Sequence, residues 1–278
     1  TGFLYALYID MIVPIFIAII YLRCDFKFSA LAMLICLVII GLIMGDIASA
    51  ICMSQSMIIG IMCGFIINKK TKMLDDLFYL SIISCFIMVL VDVLFSNLIG
   101  FSIMKDYQEI LAKVPLSESV KSSLVYILIA TLPLGTIIMT YFGSLFIGSR
   151  IKCLKEVASQ KFYILKNIRK YANYIFCSKF TVYIGLLYLL IKDLAGVDIT
   201  HVYLLTVTET IKYIIYYFLI RDAYAYIRLY TYQRTKSIKA LNIVGMAFLG
   251  SLVLKFNISF WIISIISFFY VPRKLQSI

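Results

Sequence analysis

The sequence predicts an all-α polytopic bundle of about seven to nine transmembrane spans, and three observations carry that expectation. Hydrophobic residues make up 63% of the chain and charged residues only 14%, where a soluble domain carries about 25% charged. Mean hydropathy is +1.00. The apolar residues fall into about nine stretches, and the Lys and Arg residues gather in alternate gaps between them. A spanning helix needs roughly 20 mostly apolar residues, because the hydrocarbon core is about 30 Å thick and each residue rises 1.5 Å. Lipid tolerates only backbones that satisfy their own hydrogen bonds, so these stretches read as helices.

In chain order the candidate spans are 2–22, 29–45, 47–67, 77–98, 124–148, 174–191, 201–220, 240–254 and 258–271. The first carries Pro14, which frees the carbonyl of Asp10 and predicts a kink there. It lacks a basic n-region and a small-residue cleavage site, and so reads as a retained span rather than a signal peptide. Residues 29–67 are nearly continuous, broken at Gly45-Asp46, and read as a hairpin or as one span plus a re-entrant piece. In 99–123, Ile103, Tyr107, Ile110, Leu111 and Val114 recur at helical spacing, which predicts a short interfacial helix ending before Pro115. Such a helix is either a surface connector or the cap of an outward-facing cavity. The last two spans are separated only by Lys255-Phe256-Asn257 and form a tight hairpin.

The gaps containing Arg23 and Lys27, Lys69 to Lys72, Arg150 to Lys170, Arg221 to Lys239, and Arg273 and Lys274 hold 19 of the 26 basic residues. The positive-inside bias places these gaps and the C-terminus in the cytoplasm of a bacterial plasma membrane. Nine spans then leave the N-terminus outside, and a re-entrant second or third span reverses it. Basic loops beside an anionic leaflet account for the net charge of +12 without nucleic acid. In 149–173, Ile151, Leu154, Ala158, Leu165, Ile168 and Ala172 share a helical face, with Lys152, Lys155, Lys166 and Lys170 off it. This is a basic amphipathic helix that lies on lipid or docks a partner. The chain thus divides into a membrane half 1–98, an external segment 99–123 and a second membrane half 124–278.

The seven cysteines are scattered, mostly within spans and without a CxxC pair, so they read as small hydrophobes. The lone His201 reads as a hydrogen-bonding residue at a membrane edge. Walker A, G-x-S-x-G and H-E-x-x-H patterns are absent, so the reading is non-enzymatic, with no metal and no cofactor. Ionisable side chains within spans are costly and face a bundle interior or a wet cavity. Here they are Asp10, Asp46, Asp92, Lys179, Glu209 and Lys212. Glu209 and Lys212 share a helix face and form either a structural ion pair or a substrate clamp. Thr206 and Thr208 add hydroxyls, and Tyr213, Tyr216 and Tyr217 line the same region. The candidate ligand set is therefore Asp10, Glu209, Lys212, Tyr213 and Tyr216. Gly41 with Gly45, and Gly60 with Gly64, put GxxxG spacing on two consecutive spans and predict close helix packing.

The mid-helix Pro14, the run Gly60-Ile-Met-Cys-Gly64-Phe-Ile-Ile-Asn-Lys-Lys, Leu132-Pro133, the long basic linker and the terminal Tyr270-Val-Pro-Arg-Lys-Leu recur in a known order. On these the chain resembles the YybS-like family of polytopic membrane proteins of Gram-positive bacteria. That family is similar, in its N-terminal half, to the S components of energy-coupling-factor transporters. The resemblance implies a subunit that binds a small solute and couples to a membrane partner and ATPases. A second expectation is a membrane scaffold in an envelope or division complex. A third is lipid handling, with Lys179 and Lys212 facing phosphate.

Overall fold

The computed structural model describes residues 2–100, 102–115, 117–195, 201–254 and 256–269, the side chains of 2–10, 97, 103, 119, 195, 253, 254 and 257 excepted. Arg273, Lys274 and the motif from Tyr270 lie outside the described residues. Among those described every regular element is helical. In order they are α1 (Gly2–Val38), a π-helical turn (Ile39–Ile43), α2 (Ile47–Ile67), α3 (Met73–Ile99), α4 (Ile103–Ala112), α5 (Glu118–Arg150), α6 (Glu156–Lys166), α7 (Ile168–Tyr171), α8 (Lys179–Ala195), α9 (Val202–Thr235), α10 (Ile238–Leu254) and α11 (Phe256–Phe269). They form two compact units that interleave along the chain rather than dividing it near residues 98 and 123. The first comprises residues 1–71, 79–165 and 199–213, and the second residues 72–78, 166–198 and 214–278.

In the first unit α1 is not straight. Asp25 sits at φ 66°, outside helical geometry. Gly60 and Gly64 of α2 pass Pro14 and Tyr21 in register, so α2 runs parallel to the residues before Asp25. Gly41 faces Ala50 across the turn at Gly45-Asp46, so the residues after Asp25 run antiparallel to α2. Met33, Cys36 and Leu37 accordingly pack on the same core cluster as Ile17, Met57 and Ile61. The chain therefore reverses at Asp25, and α1 is two arms.

The GxxxG expectation resolves differently for its two copies. A Cβ on Gly60 would lie 2.5 Å from the Pro14 carbonyl oxygen, and one on Gly64 2.7 Å from the Tyr21 Cβ. These glycines let two backbones approach closely. Gly45 instead has φ +71° and open space around it. It serves the turn after the π-helical stretch, where Met44 N–H reaches back to the Ile39 carbonyl (3.0 Å), so Gly41 and Gly45 are not a packing motif. α5 lies along the first arm of α1, with Gly143 opposite Ile15.

The amphipathic linker is also broken. Lys152 adopts φ 59° and Asn167 interrupts the helix, leaving α6 and α7 as short pieces. Lys155 pairs with Asp25 at 2.8 Å. Lys161, which is buried, donates to the carbonyls of Ile66 (3.3 Å) and Lys69 (2.8 Å) at the C-terminus of α2. An ammonium there satisfies orphan carbonyls and opposes the negative end of the helix dipole. Exposed Lys166 and Lys170 keep the role of surface cations, whereas Lys155 is tied to the protein.

In the second unit Ala223, Phe248 and Ile263 form one core cluster, and Phe176, Ala225 and Leu229 another. Phe78 meets Phe218 edge to face at 5.4 Å. α10 and α11 form the expected hairpin, with the Ser259 hydroxyl on the Ser251 carbonyl (2.8 Å).

Among the described residues, five helical stretches are long and apolar enough to cross a membrane: Met11–Ile43, Ile47–Ile67, Met73–Ser96, Val120–Arg150 and Val202–Thr235. The count of seven to nine is not reached on that measure. The first stretch contains the reversal at Asp25, and α10 and α11 hold only 17 and 14 residues. Leu31 and Leu34 on the second arm of α1, and Leu42 and Ile43 in the π-helical turn that follows it, are strongly exposed. So continuous an apolar exterior suits lipid rather than water.

Candidate functional site

The first unit carries a polar cleft roofed by α4. The helix starts because Ser102 is its N-cap, accepting from the Lys105 N–H (3.4 Å). Asp92, two turns from the end of α3, accepts from the Ser102 hydroxyl (3.0 Å) and the Met104 N–H (3.3 Å). At the other end Lys121 of α5 donates to the Ala112 carbonyl (3.5 Å) and to Glu118 (3.1 Å). A carboxylate at the N-terminus and an ammonium at the C-terminus both oppose the dipole of α4 and hold it in place. Gly100, at φ +73°, makes the turn that brings the chain back from α3.

Between α4 and the start of α5 lies a cleft of about 280 Å³, with Gln108, Glu118, Lys121, Ser122 and Tyr126 as its polar lining and Leu111 and Val125 as its apolar wall. Tyr126 lies within electrostatic reach of Glu209 and Tyr213. Burial raises the Tyr107 phenol on α4 above its ordinary pKa. The volume falls just below the usual range for small-molecule pockets, which begins at about 300 Å³. A separate void of about 20 Å³ beside Asp92, Met104 and Pro133 has room for a single water.

None of the predicted ligand residues is among the described residues that line this cleft. Glu209 and Lys212 meet at 4.0 Å with about a quarter of each side chain exposed, and Tyr213 belongs to the same unit. The Asp10 side chain lies outside the described residues. Tyr216 falls in the second unit, 4.2 Å from Phe260 and 5.3 Å from Phe256 between ring centres, so it serves aromatic packing. Tyr217 is 46% exposed. Thr206 and Thr208 donate back to the Val202 and Leu204 carbonyls of their own helix (both 2.8 Å). Asp46 caps α2, accepting from the Ser49 N–H (2.9 Å) and hydroxyl (2.6 Å). Lys179 opens α8 and is exposed, and His201 precedes α9.

The second unit holds a buried polar knot that hydropathy did not reveal. The segment from Ile175 to Ser178 is non-helical, although Ile175, Phe176 and Cys177 are buried. Irregular backbone at membrane depth survives only where protein groups satisfy it. Asp222, fully buried on α9, accepts from the Cys177 N–H (2.9 Å), and buried Asp75 accepts from the Ser178 N–H (2.8 Å). Arg221 donates to the carbonyls of Ile175 and Ala172 and lies 3.3 Å from Asp222. The sequence signals were the Asp75-Asp76 pair between Leu74 and Leu77, and an apolar helical pattern that continues past Arg221. Among the described residues no three of His, Cys, Asp and Glu converge as a metal site.

Residues 4–119 match a protein family described as a predicted membrane protein (DUF2232). This is a membrane protein. The match spans α1 to the start of α5, and therefore includes the Asp25 reversal, the Gly60 and Gly64 contacts and the roof helix α4. No curated protein and no solved structure matches the chain, so the likeness to YybS-like proteins and S components finds no counterpart there.

Proposed function

We propose that this protein is a non-enzymatic subunit that binds a small solute in the membrane for a transporter energised by a separate partner. The observation that carries the reading is the cleft beneath α4. It is concave, lined on both polar and apolar sides, and covered by a helix that charged groups hold at each end. Glu118 with Lys121 leaves its charges balanced, which suits a neutral or zwitterionic solute, and Glu209, paired with Lys212, lies within electrostatic reach of Tyr126 in its lining. The basic ends of the helices face the cytoplasm on the positive-inside bias, and the cleft, at the opposite end of α5 from Arg150, then opens outward.

The scaffold alternative loses one support, because Gly60 and Gly64 are occupied within the unit. The test is affinity purification from native membranes with mass spectrometry of small molecules and proteins. One discrete solute that disappears with Tyr126→Ala or Glu209→Gln, while the protein stays monodisperse, is the expected result. Recovery of bulk lipid alone, alike for all three proteins, overturns the reading.

A further inference from the structure

We propose that the Asp25 corner of the first unit is a binding surface for anionic phospholipid headgroups. Three chain segments meet at this end. The Lys155–Asp25 pair at 2.8 Å ties the α5–α6 turn to the reversal in α1. Lys161 on the Lys69 carbonyl at 2.8 Å ties α6 to the end of α2. These contacts use up Asp25, Lys155 and Lys161. Arg23, Lys27, Lys70 and Lys152 remain exposed, one or two from each segment. Glu156 is the one acid between Arg150 and Lys166. Arg23 lies within electrostatic reach of Cys153, beside Lys152.

The surface is amphipathic as well as basic. The reversal leaves Phe26 and Phe28 58% and 62% exposed, flanking Lys27. Aromatic rings with alternating cations match the headgroup boundary of a bilayer, where rings meet acyl chains and ammonium or guanidinium groups meet phosphate. An acidic protein would match the cations but not these rings. Phospholipid is the occupant that uses both.

The experiment is native mass spectrometry of the full chain in detergent, titrated with dioleoylphosphatidylglycerol, dioleoylphosphatidylcholine or inorganic phosphate. Phosphatidylglycerol should be retained at concentrations at least tenfold below phosphatidylcholine, and rising salt should erode the difference. The triple variant Arg23→Gln, Lys27→Gln, Lys152→Gln should weaken phosphatidylglycerol by about fivefold for each cation removed. Lys113→Gln, outside this corner, should change nothing. A Phe26→Ser, Phe28→Ser variant should lose lipid while keeping its cations. Equal retention of the two lipids overturns the proposal, and so does an unchanged preference in the triple variant. Displacement of the lipid by equimolar inorganic phosphate would mean that a free anion is recognised, and loss of a co-purifying acidic protein with lipid preference intact would mean a protein contact. All substituted side chains are exposed, and a matching elution profile in size exclusion confirms the fold.

Discussion

The cleft under α4 and the knot at Ile175–Ser178 are both built from charged side chains on backbone amides and carbonyls, yet they spend those charges differently. In the knot, Asp222 is fully buried and Asp75 nearly so, and each carboxylate accepts an N–H from the irregular segment. Carboxylates so buried have no bulk solvent to fall back on, so an unmade bond there costs a full desolvation penalty. In the cleft Lys121 is largely covered but its partner Glu118 is almost fully exposed, so water can take the place of the carboxylate. Exposed pairs of this kind contribute roughly 0–1 kcal/mol. The knot fixes a shape, whereas the cleft keeps polar groups available to exchange with a ligand.

Substitution should separate the two regions sharply. Asp222→Ala leaves the Cys177 N–H and the Arg221 guanidinium without their buried partner, and breaking a buried pair costs about 3–5 kcal/mol. The thermal midpoint in detergent should collapse or the monodisperse peak vanish. Asp222→Asn, which keeps an acceptor, should lose much less. Glu118→Gln should leave the midpoint nearly unmoved, and equal losses for Asp222→Ala and Glu118→Gln would erase the distinction.

The scaffold that carries the cleft ranks next. Gly60→Ala puts a methyl 2.5 Å from the Pro14 carbonyl oxygen, where backbone must shift, and overpacking of this kind costs about 1–3 kcal/mol. Gly41→Ala, facing Ala50 at 3.5 Å, should be nearly neutral in the same thermal assay.

How far these features were legible depended on whether their signal was local. The separate stretches 2–22 and 29–45 were readable because Arg23, Asp25 and Lys27 interrupt the apolar run, and the structure reverses there. α4 was readable from the spacing of Tyr107, Ile110 and Leu111. The start of α8 was not. Residues 174–178 are apolar enough to extend the span, and it is Asp75, Arg221 and Asp222, distant in sequence, that satisfy their backbone outside a helix. Arg221 misled in the same way. A hydropathy window ends at the first guanidinium, but α9 runs on to Thr235 because that guanidinium is spent on the Ala172 and Ile175 carbonyls. Glu209, Lys212 and Tyr213 were readable together because they share one helix face, but the cleft is lined by Gln108, Lys121 and Tyr126, which depend on how α4 seats on α5 and which no single helix encodes.

A smaller effect tests the roof itself. Asp92→Ala removes the acceptor for the Ser102 hydroxyl and the Met104 N–H, and loss of a helix cap costs about 0.5–2 kcal/mol. Hydrogen exchange across Ile103–Ala112 should quicken by about tenfold, while exchange in α2 stays unchanged. Unaltered exchange in α4 would show that its packing on α5, not Asp92, holds the roof.

The smallest effect contrasts an exposed capping carboxylate with the buried ones. Two hydrogen bonds from Ser49 hold the Asp46 carboxyl below its usual range, so its folded pKa lies below its unfolded one. The stabilisation it gives the first turn of α2 is therefore complete above the unfolded value and is lost as pH falls through the folded value. Protection of the Ser49 amide should hold at neutral pH and fade only below about pH 4, near where aspartate ordinarily titrates. Asp46→Asn, which cannot titrate, should remove that pH dependence and leave the cap. A Ser49 amide that loses protection equally in both proteins would place the acid-sensitive group elsewhere in the unit.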